Sequence, residues 1–371
     1  MSLSDFFTLA NAHPWAYVAL LFNFGVVFIN GWTDAPNCIA TCVTTRCLTP
    51  KKAIIMAAVG NLIGTILIGF LAQFLSSTTG DVSQTIAGIV DLSGFDINQA
   101  LIAISFGLLA NILFSLGCTY YGFPSSQSNA LVGGLSGAGL ALMAIWHPSE
   151  NWFSVIGLGA WSKVLIGFFG SILLGFVLGY GLTFLIQFFC RNKMKGETTR
   201  FFSRGQTVAS GLMSIAHGVQ DGAKFIGVFL VIAAMLKQPA DAAELSSIVT
   251  TLLGKTWIVL PVAFFITCGT LVGGKSIIKT MGSGMAKLDK YRGFATDISA
   301  FLGLILATVF GLPVSSGTVK ATAIMGCGAA KSFRQVRWGK AGEMVLSWVL
   351  IFPGTAIIAF VLTLIFASIF K

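Results

Sequence analysis

Hydrophobic positions in this chain run together in long stretches, and short polar or charged stretches separate them. Apolar runs rich in Leu, Ile, Phe, Gly and Ala, each about 20 residues long, match the length an α-helix needs to cross a bilayer; barrel strands would give short alternating segments instead. A helix also satisfies its backbone hydrogen bonds internally, as lipid requires. The runs predict segments at 15–45, 53–77, 99–118, 122–146, 154–190, 206–236, 249–272, 294–312, 313–330 and 341–370, some of them broken or re-entrant. The expected fold is an all-α polytopic membrane protein with about 10–12 transmembrane segments.

Composition narrows the function. Of 371 residues, 55% are hydrophobic and 10% charged, with mean hydropathy +0.86, which leaves almost no soluble domain. Any activity must lie within the membrane. The first residues, MSLSDFFTLANAHPW, carry neither a basic leader nor a small-residue cleavage site, so no removable signal peptide is expected. The net charge of +10 raises the question of nucleic acid, but the basic residues are concentrated at 46–52, 191–204, 275–292 and 331–340. Such clusters between apolar runs mark cytoplasmic loops, so the charge is topological and no nucleic-acid partner is expected. Loops 78–96 and 237–247 are acidic or nearly so and should face outward, giving a multi-pass protein of the cell membrane embedded in lipid. The seven cysteines (38, 42, 47, 118, 190, 268, 327) lie in or beside apolar runs without a paired framework and are read as small apolar residues.

Polar motifs interrupt the runs in a repeating order. FINGWTDAPNC (28–38) has a partner in AHGVQDGAK (216–224), with Asp34 and Asp221 187 residues apart. GFPSSQSNALVGG from Gly122 has a partner in GLPVSSGTVKATAIMG from Gly311, 189 residues on. Two motifs in the same order at nearly one offset indicate a duplicated unit. The topology sends 15–45 inward and 206–236 outward, so the two units form an inverted repeat. Residues 1–190 are the first repeat (motifs 30–37 and 122–134), 191–205 a basic cytoplasmic linker, and 206–371 the second repeat (motifs 216–224 and 311–326). Secondary transporters built this way hold substrate and ions at the repeat interface.

The motifs suggest the chemistry. Gly31, Pro36, Gly218 and Gly222 weaken helix continuity, and breaks there would free backbone carbonyls to join Asn30, Asp34 and Asn37, or Gln220 and Asp221, as hard oxygen ligands of a small cation. A carboxylate in the bilayer costs several kcal/mol unless partnered, so either an ion or a structural bridge to Lys224 or His217 must accompany these aspartates. In the hairpins, a proline in the first helical turn would leave backbone N–H groups free beside hydroxyls, which invites an anion. Ser125, Ser126, Gln127 and Ser128 would then face Ser315, Ser316, Gly317 and Thr318; the alternative is that these residues only cap helices. His217, Lys224 and Asn129 stand beside these positions as coupling or structural residues. Two helix termini supply about half a charge each, short of neutralising a dianion, so the cation and anion sites should adjoin. Moving a dianion inward against 100 mV costs about 4.6 kcal/mol, which two monovalent cations only cancel.

These residues carry a resemblance to the inorganic phosphate transporter family: Asn30-Gly31-Trp32-Thr33-Asp34-Ala35-Pro36-Asn37 followed by TTRCLTPKKA, His217-Gly218-Val219-Gln220-Asp221, the two Pro-Ser-Ser and Pro-Val-Ser-Ser hairpins, and VRWGKA beyond. The resemblance spans nearly the whole chain. It implies a phosphate symporter coupled to a cation, sodium in preference to a proton, with no cofactor and no metal beyond the coupling ion. It further implies that the aspartates hold that ion, that the Ser/Thr hairpins contact phosphate, and that the protein is a homodimer. The family hairpins usually end in a Ser/Thr pair and His, whereas this chain has Gln127-Ser128-Asn129 and Ser316-Gly317-Thr318. Sulfate, which has no proton to hand over, is therefore the alternative cargo.

Two other classes fit less well. GTLVGGKS (269–276) satisfies a nucleotide-binding loop pattern, but it ends an apolar run where a strand and a soluble domain would be required. Its glycines suit close helix packing, and Lys275 the cytoplasmic interface. An anion channel would not need paired broken helices, and no enzymatic activity is expected.

Overall fold

The computed structural model describes residues 1–78, 81–121, 126–273 and 288–369, and these are helical almost throughout. The short α1 (Leu3–Ala12) is closed by a capping box between Ser2 and Asp5. Next, α2 (Trp15–Thr33) and α3 (Pro36–Thr44) form one membrane-length span interrupted at Asp34 and Ala35. Pro36 has no N–H to give, so the ladder stops there. Asn37 N–H bonds Asp34 O at 3.0 Å and restarts it. The chain continues through α4 (Pro50–Thr78), α5 (Val82–Ala87), α6 (Ile97–Tyr121), α7 (Gln127–Trp146), α8 (Leu158–Cys190) and α9 (Lys195–Met235). It ends with α10 (Ala242–Leu252), α11 (Thr256–Val272), α12 (Lys290–Val309), α13 (Ser316–Lys331) and α14 (Trp338–Ile369).

Among the described residues eight helices are long and apolar enough to span a membrane, and α10 with α11, bent by 78°, forms either a broken ninth span or a re-entrant loop. The segment expected at 313–330 is α13, only 16 residues, or about 24 Å, shorter than a full crossing. The basic stretch 191–205 is helical from Lys195 on and forms the opening turns of α9. Loop 78–96 contains α5, whose Val82 and Ile86 are buried together with Ile89 and Leu92. The basic cluster from Lys275 to residue 287 lies outside the described residues.

Packing explains the glycines. The sequence reading takes Gly218 and Gly222 as points of helix weakness, but α9 runs unbroken through both. A Cβ at Gly218 would lie 2.5 Å from Asn61 O, and one at Gly64 on α4 would lie 2.1 Å from Ile215 O. Gly60 and Gly64 lie against Ser214, Ile215 and Gly218, and Gly218 and Gly222 against Asn61 and Thr65, so glycines spaced by four on each helix bring the two backbones into contact. The same device joins α2 to α11 through Gly31 and Gly269, α7 to α14 through Gly133 and Gly137, and α8 to α13 through Gly179 and Gly326. Helix α9 is the centre of the bundle, with its apolar window wholly buried. Phe169, Leu173 and Phe184 on α8 and Leu346, Leu350 and Ile357 on α14 are exposed, as lipid-facing side chains should be.

Candidate functional site

Asp34 sits at the α2–α3 break, one turn after Asn30 and one turn before Asn37, and all three are buried. Its Oδ1 accepts the Asn37 amide at 3.3 Å, and the backbone N–H of Gln127, the first residue of α7, also faces the carboxylate. Its Oδ2 has no partner, and Asn30 Oδ1, Asn37 Oδ1 and Gln127 Oε1 are likewise buried without donors. No basic side chain among the described residues forms an ion pair with Asp34. Such oxygens are costly to bury bare and suit a cation.

Asp221 differs. Lys224 Nζ donates to its Oδ1 at 2.6 Å, Asn30 Nδ2 to its Oδ2 at 2.9 Å, and His217 Nε2 stands 3.3 Å from the same Oδ2. The other ring nitrogen of His217 pairs with Asn61 Oδ1 at 3.0 Å, and Asn61 in turn donates to Thr270. Asp221 thus has both partners named by the structural-bridge alternative, Lys224 and His217, and Asp34 has neither among the described residues. Gln220, expected among the cation ligands, is committed elsewhere: its amide donates to Leu312 O at 2.7 Å, and its Oε1 accepts Thr308 Oγ1 at 2.5 Å.

The described parts of both hairpin motifs, from Ser126 and from Gly311 on, contact this centre. Ser125, together with Gly122, Phe123 and Pro124, lies outside the described residues. Ser126 and Ser315 are the N-caps of α7 and α13, accepting the Asn129 and Thr318 amides, so their hydroxyls are spent on capping. Pro313 precedes the cap and does not occupy the first turn, because Ser315 already serves as N-cap. Ser128 Oγ accepts Lys224 Nζ at 2.5 Å, and Lys224 also reaches Val314 O at 2.5 Å. Ser316 Oγ and Thr318 Oγ1 are buried and unpartnered. A Cβ at Gly317 would stand 3.1 Å from Asn37 Nδ2, so glycine lets the first turn of α13 close on α3. Gln127 Nε2 approaches Thr33 Oγ1 at 3.3 Å, while Asn129 Nδ2 donates to Trp348 O at 3.2 Å and ties α7 to α14.

A second buried charge pair joins Lys320, inside the second hairpin motif, to Asp297, which lies outside every motif. Asp297 on α12 pairs with Lys320 on α13, and it also accepts Thr41 Oγ1 at 2.5 Å and Ser210 Oγ at 2.8 Å. The only sequence signal is the isolated charge within each apolar run. Lys224 thus answers Asp221 and Lys320 answers Asp297, so of these three carboxylates within the spanning helices Asp34 alone has no basic partner among the described residues. All seven cysteines are free thiols. In GTLVGGKS, Gly269 packs against Phe28 O, and Lys275 lies outside the described residues.

Comparison with known proteins bears on this arrangement. The model of the phosphate transporter family matches residues 30–359. A protein of Bacillus subtilis (strain 168), named a probable low-affinity inorganic phosphate transporter, is 31% identical, covering 91% of this chain and 94% of its own. One of the same name from Rhizobium meliloti (strain 1021) is 33% identical over 92% of each chain. Among solved structures, the sodium-dependent phosphate transporter superposes with a TM-score of 0.74 over 96% of this chain and all of its own, at 22% identity, a likeness of fold. With the family match running from the first polar motif almost to the end of α14, this chain belongs to the phosphate transporter family, multi-pass membrane proteins whose work is transport and not catalysis.

Proposed function

We propose that the protein imports inorganic phosphate by symport with a monovalent cation, sodium in preference to a proton, and that Asp34 holds the cation. The observation that carries this reading is the uncompensated Asp34 carboxylate among the unpartnered oxygens of Asn30, Asn37 and Gln127. One proton would satisfy one of these oxygens; a sodium ion satisfies several at once. The bundle supplies phosphate with donors of the kind anions take: the opening turns of α7 and α13 and the free hydroxyls of Ser316 and Thr318. Phosphate is favoured over sulfate by the relatives of matching length, which are named for phosphate.

The packing supports two repeats, 1–190 and 206–371. Exchanging α2 with α9, α4 with α11, α6 with α12, α7 with α13 and α8 with α14 turns the α2–α11 contact into α9–α4 and the α7–α14 contact into α13–α8. The same exchange turns α2–α6 into α9–α12. Both polar motifs and both hairpins meet where the halves join, so relative movement of the halves would expose the site to each side in turn. Every described residue of the site is buried, which suits an occluded state.

The test is uptake of labelled phosphate and labelled sulfate into proteoliposomes, with and without an inward sodium gradient at fixed pH and voltage. Sodium-driven accumulation of phosphate is expected. Accumulation of sulfate without phosphate would overturn the cargo, and gradient-independent, non-saturating flux would mean a channel.

A further inference from the structure

The two polar motifs align without a gap at the offset of 187, which sets Asn30 against His217, Asp34 against Asp221 and Asn37 against Lys224. The third pair differs in charge. In the first motif a neutral amide lies three residues beyond the aspartate, 3.3 Å from it, with its own oxygen unpartnered. In the second motif an ammonium lies three residues beyond, 2.6 Å away. Building on the symport reading above, we infer that Lys224 is a resident cation whose ammonium fills the oxygen cage of a second cation site, so that the protein carries one fewer coupling cation with each phosphate.

The cage has the donor set a small cation takes. Lys224 Nζ meets a carboxylate oxygen of Asp221, the Ser128 hydroxyl at 2.5 Å and the Val314 backbone carbonyl at 2.5 Å. These three oxygens come from α9, from the first hairpin helix and from the second hairpin, and Lys224 is fully buried. A plain ion pair would need only Asp221. Here each of the three ammonium hydrogens is spent on a different element, as a bound ion would be shared among them. The ammonium is tethered to α9 and cannot leave with the cargo, so it neutralises the site without adding to the transported charge. Asp34, with Asn37 in place of a lysine, remains open to an exchangeable ion.

The substitution Lys224→Asn gives the second motif the Asp-x-x-Asn composition of the first. In proteoliposomes, the sodium dependence of phosphate uptake should change from hyperbolic to sigmoidal, its Hill slope rising from about 1 to about 2. The charge moved per phosphate, read from the reversal potential, should rise by one positive charge. Unchanged slope and charge ratio in a transporting Lys224→Asn variant would overturn the inference, as would a wild-type slope already near 2. Should the variant bind but not transport, equilibrium binding of labelled sodium to purified protein decides: two ions per chain against one in the wild type is expected, and equal counts refute it. Failure of the symport reading is separately visible, since a wild type that takes up no phosphate would contradict that reading and leave the ion count to be measured.

Discussion

Asn30 on α2 donates its amide to the Asp221 carboxylate on α9 at 2.9 Å, joining residues 191 positions apart and linking the two polar motifs. The same side chain leaves its oxygen unpartnered on the helix face it shares with Asp34. Asn30 therefore connects the carboxylate that Lys224 neutralises to the one left open. Asn30→Ala should raise the half-saturating sodium for phosphate uptake about 10-fold, the equivalent of about 1.4 kcal/mol. Wild-type sodium dependence in that variant would show that Asn30 serves packing alone.

Asp297 and Lys320 are both fully buried, so removing one partner strands the other. Lys320→Met should lower the stability of detergent-solubilised protein by about 3–5 kcal/mol, and adding Asp297→Asn should recover a large part of the loss. Thermal unfolding of the two variants checks the order. A single variant as stable as wild type would contradict it.

Gly60, Gly64, Gly218 and Gly222 in the α4–α9 seam should tolerate no side chain. Gly64→Ala would place a methyl 2.1 Å from Ile215 O and force the two backbones apart, so folded protein should fall sharply in yield. Gly117 on α6 and Gly181 on α8 have nothing within 4 Å of such a methyl. Alanine at either should be neutral or stabilising by up to about 1 kcal/mol. Monodispersity on size exclusion separates the two groups.

Asp81, at the start of α5 and outside the spanning helices, caps Ser83 N–H while buried, and burial pushes its carboxyl up from 3.8 to about 6. The folded protein then holds this proton more tightly than the unfolded chain does. The contribution of Asp81 to stability should therefore decline as pH rises from about 4 to about 6 and stay level above, by up to about 3 kcal/mol. Asp81→Asn keeps a capping oxygen without the charge and should flatten this part of the melting profile and raise the melting temperature at pH 7.5. An unchanged profile would mean that the ionised carboxylate is well accommodated.

Much of this architecture is legible in the chain because lipid makes the rules few. Long apolar runs at 53–77 and 341–370 have no stable alternative to a helix; α4 covers the first and α14 the second as far as Ile369. Asp34 and Asp221 stand out because a charge in such a run demands a reason. The role of Gly218 was hidden, since sequence states a cost to helix propensity of about 1 kcal/mol but not the neighbour whose close approach outweighs it. The Asp297–Lys320 pair was hidden because no motif spacing links them; only the packing of α12 on α13 does. Lys224 could be seen beside Asp221, but its reach to Ser128 and Val314, 96 and 90 residues away, depends on how α7 and the segment before α13 pack against α9.

The most direct test of Asp34 as the coupling site is Asp34→Asn in proteoliposomes, with sodium-driven accumulation of labelled phosphate measured at matched protein incorporation. The variant loses a bare buried carboxylate, so it should remain folded, with a melting temperature equal to or above that of the wild type, while accumulation falls to the level seen without a sodium gradient. Asp34→Asn protein that still concentrates phosphate in response to sodium would contradict the account.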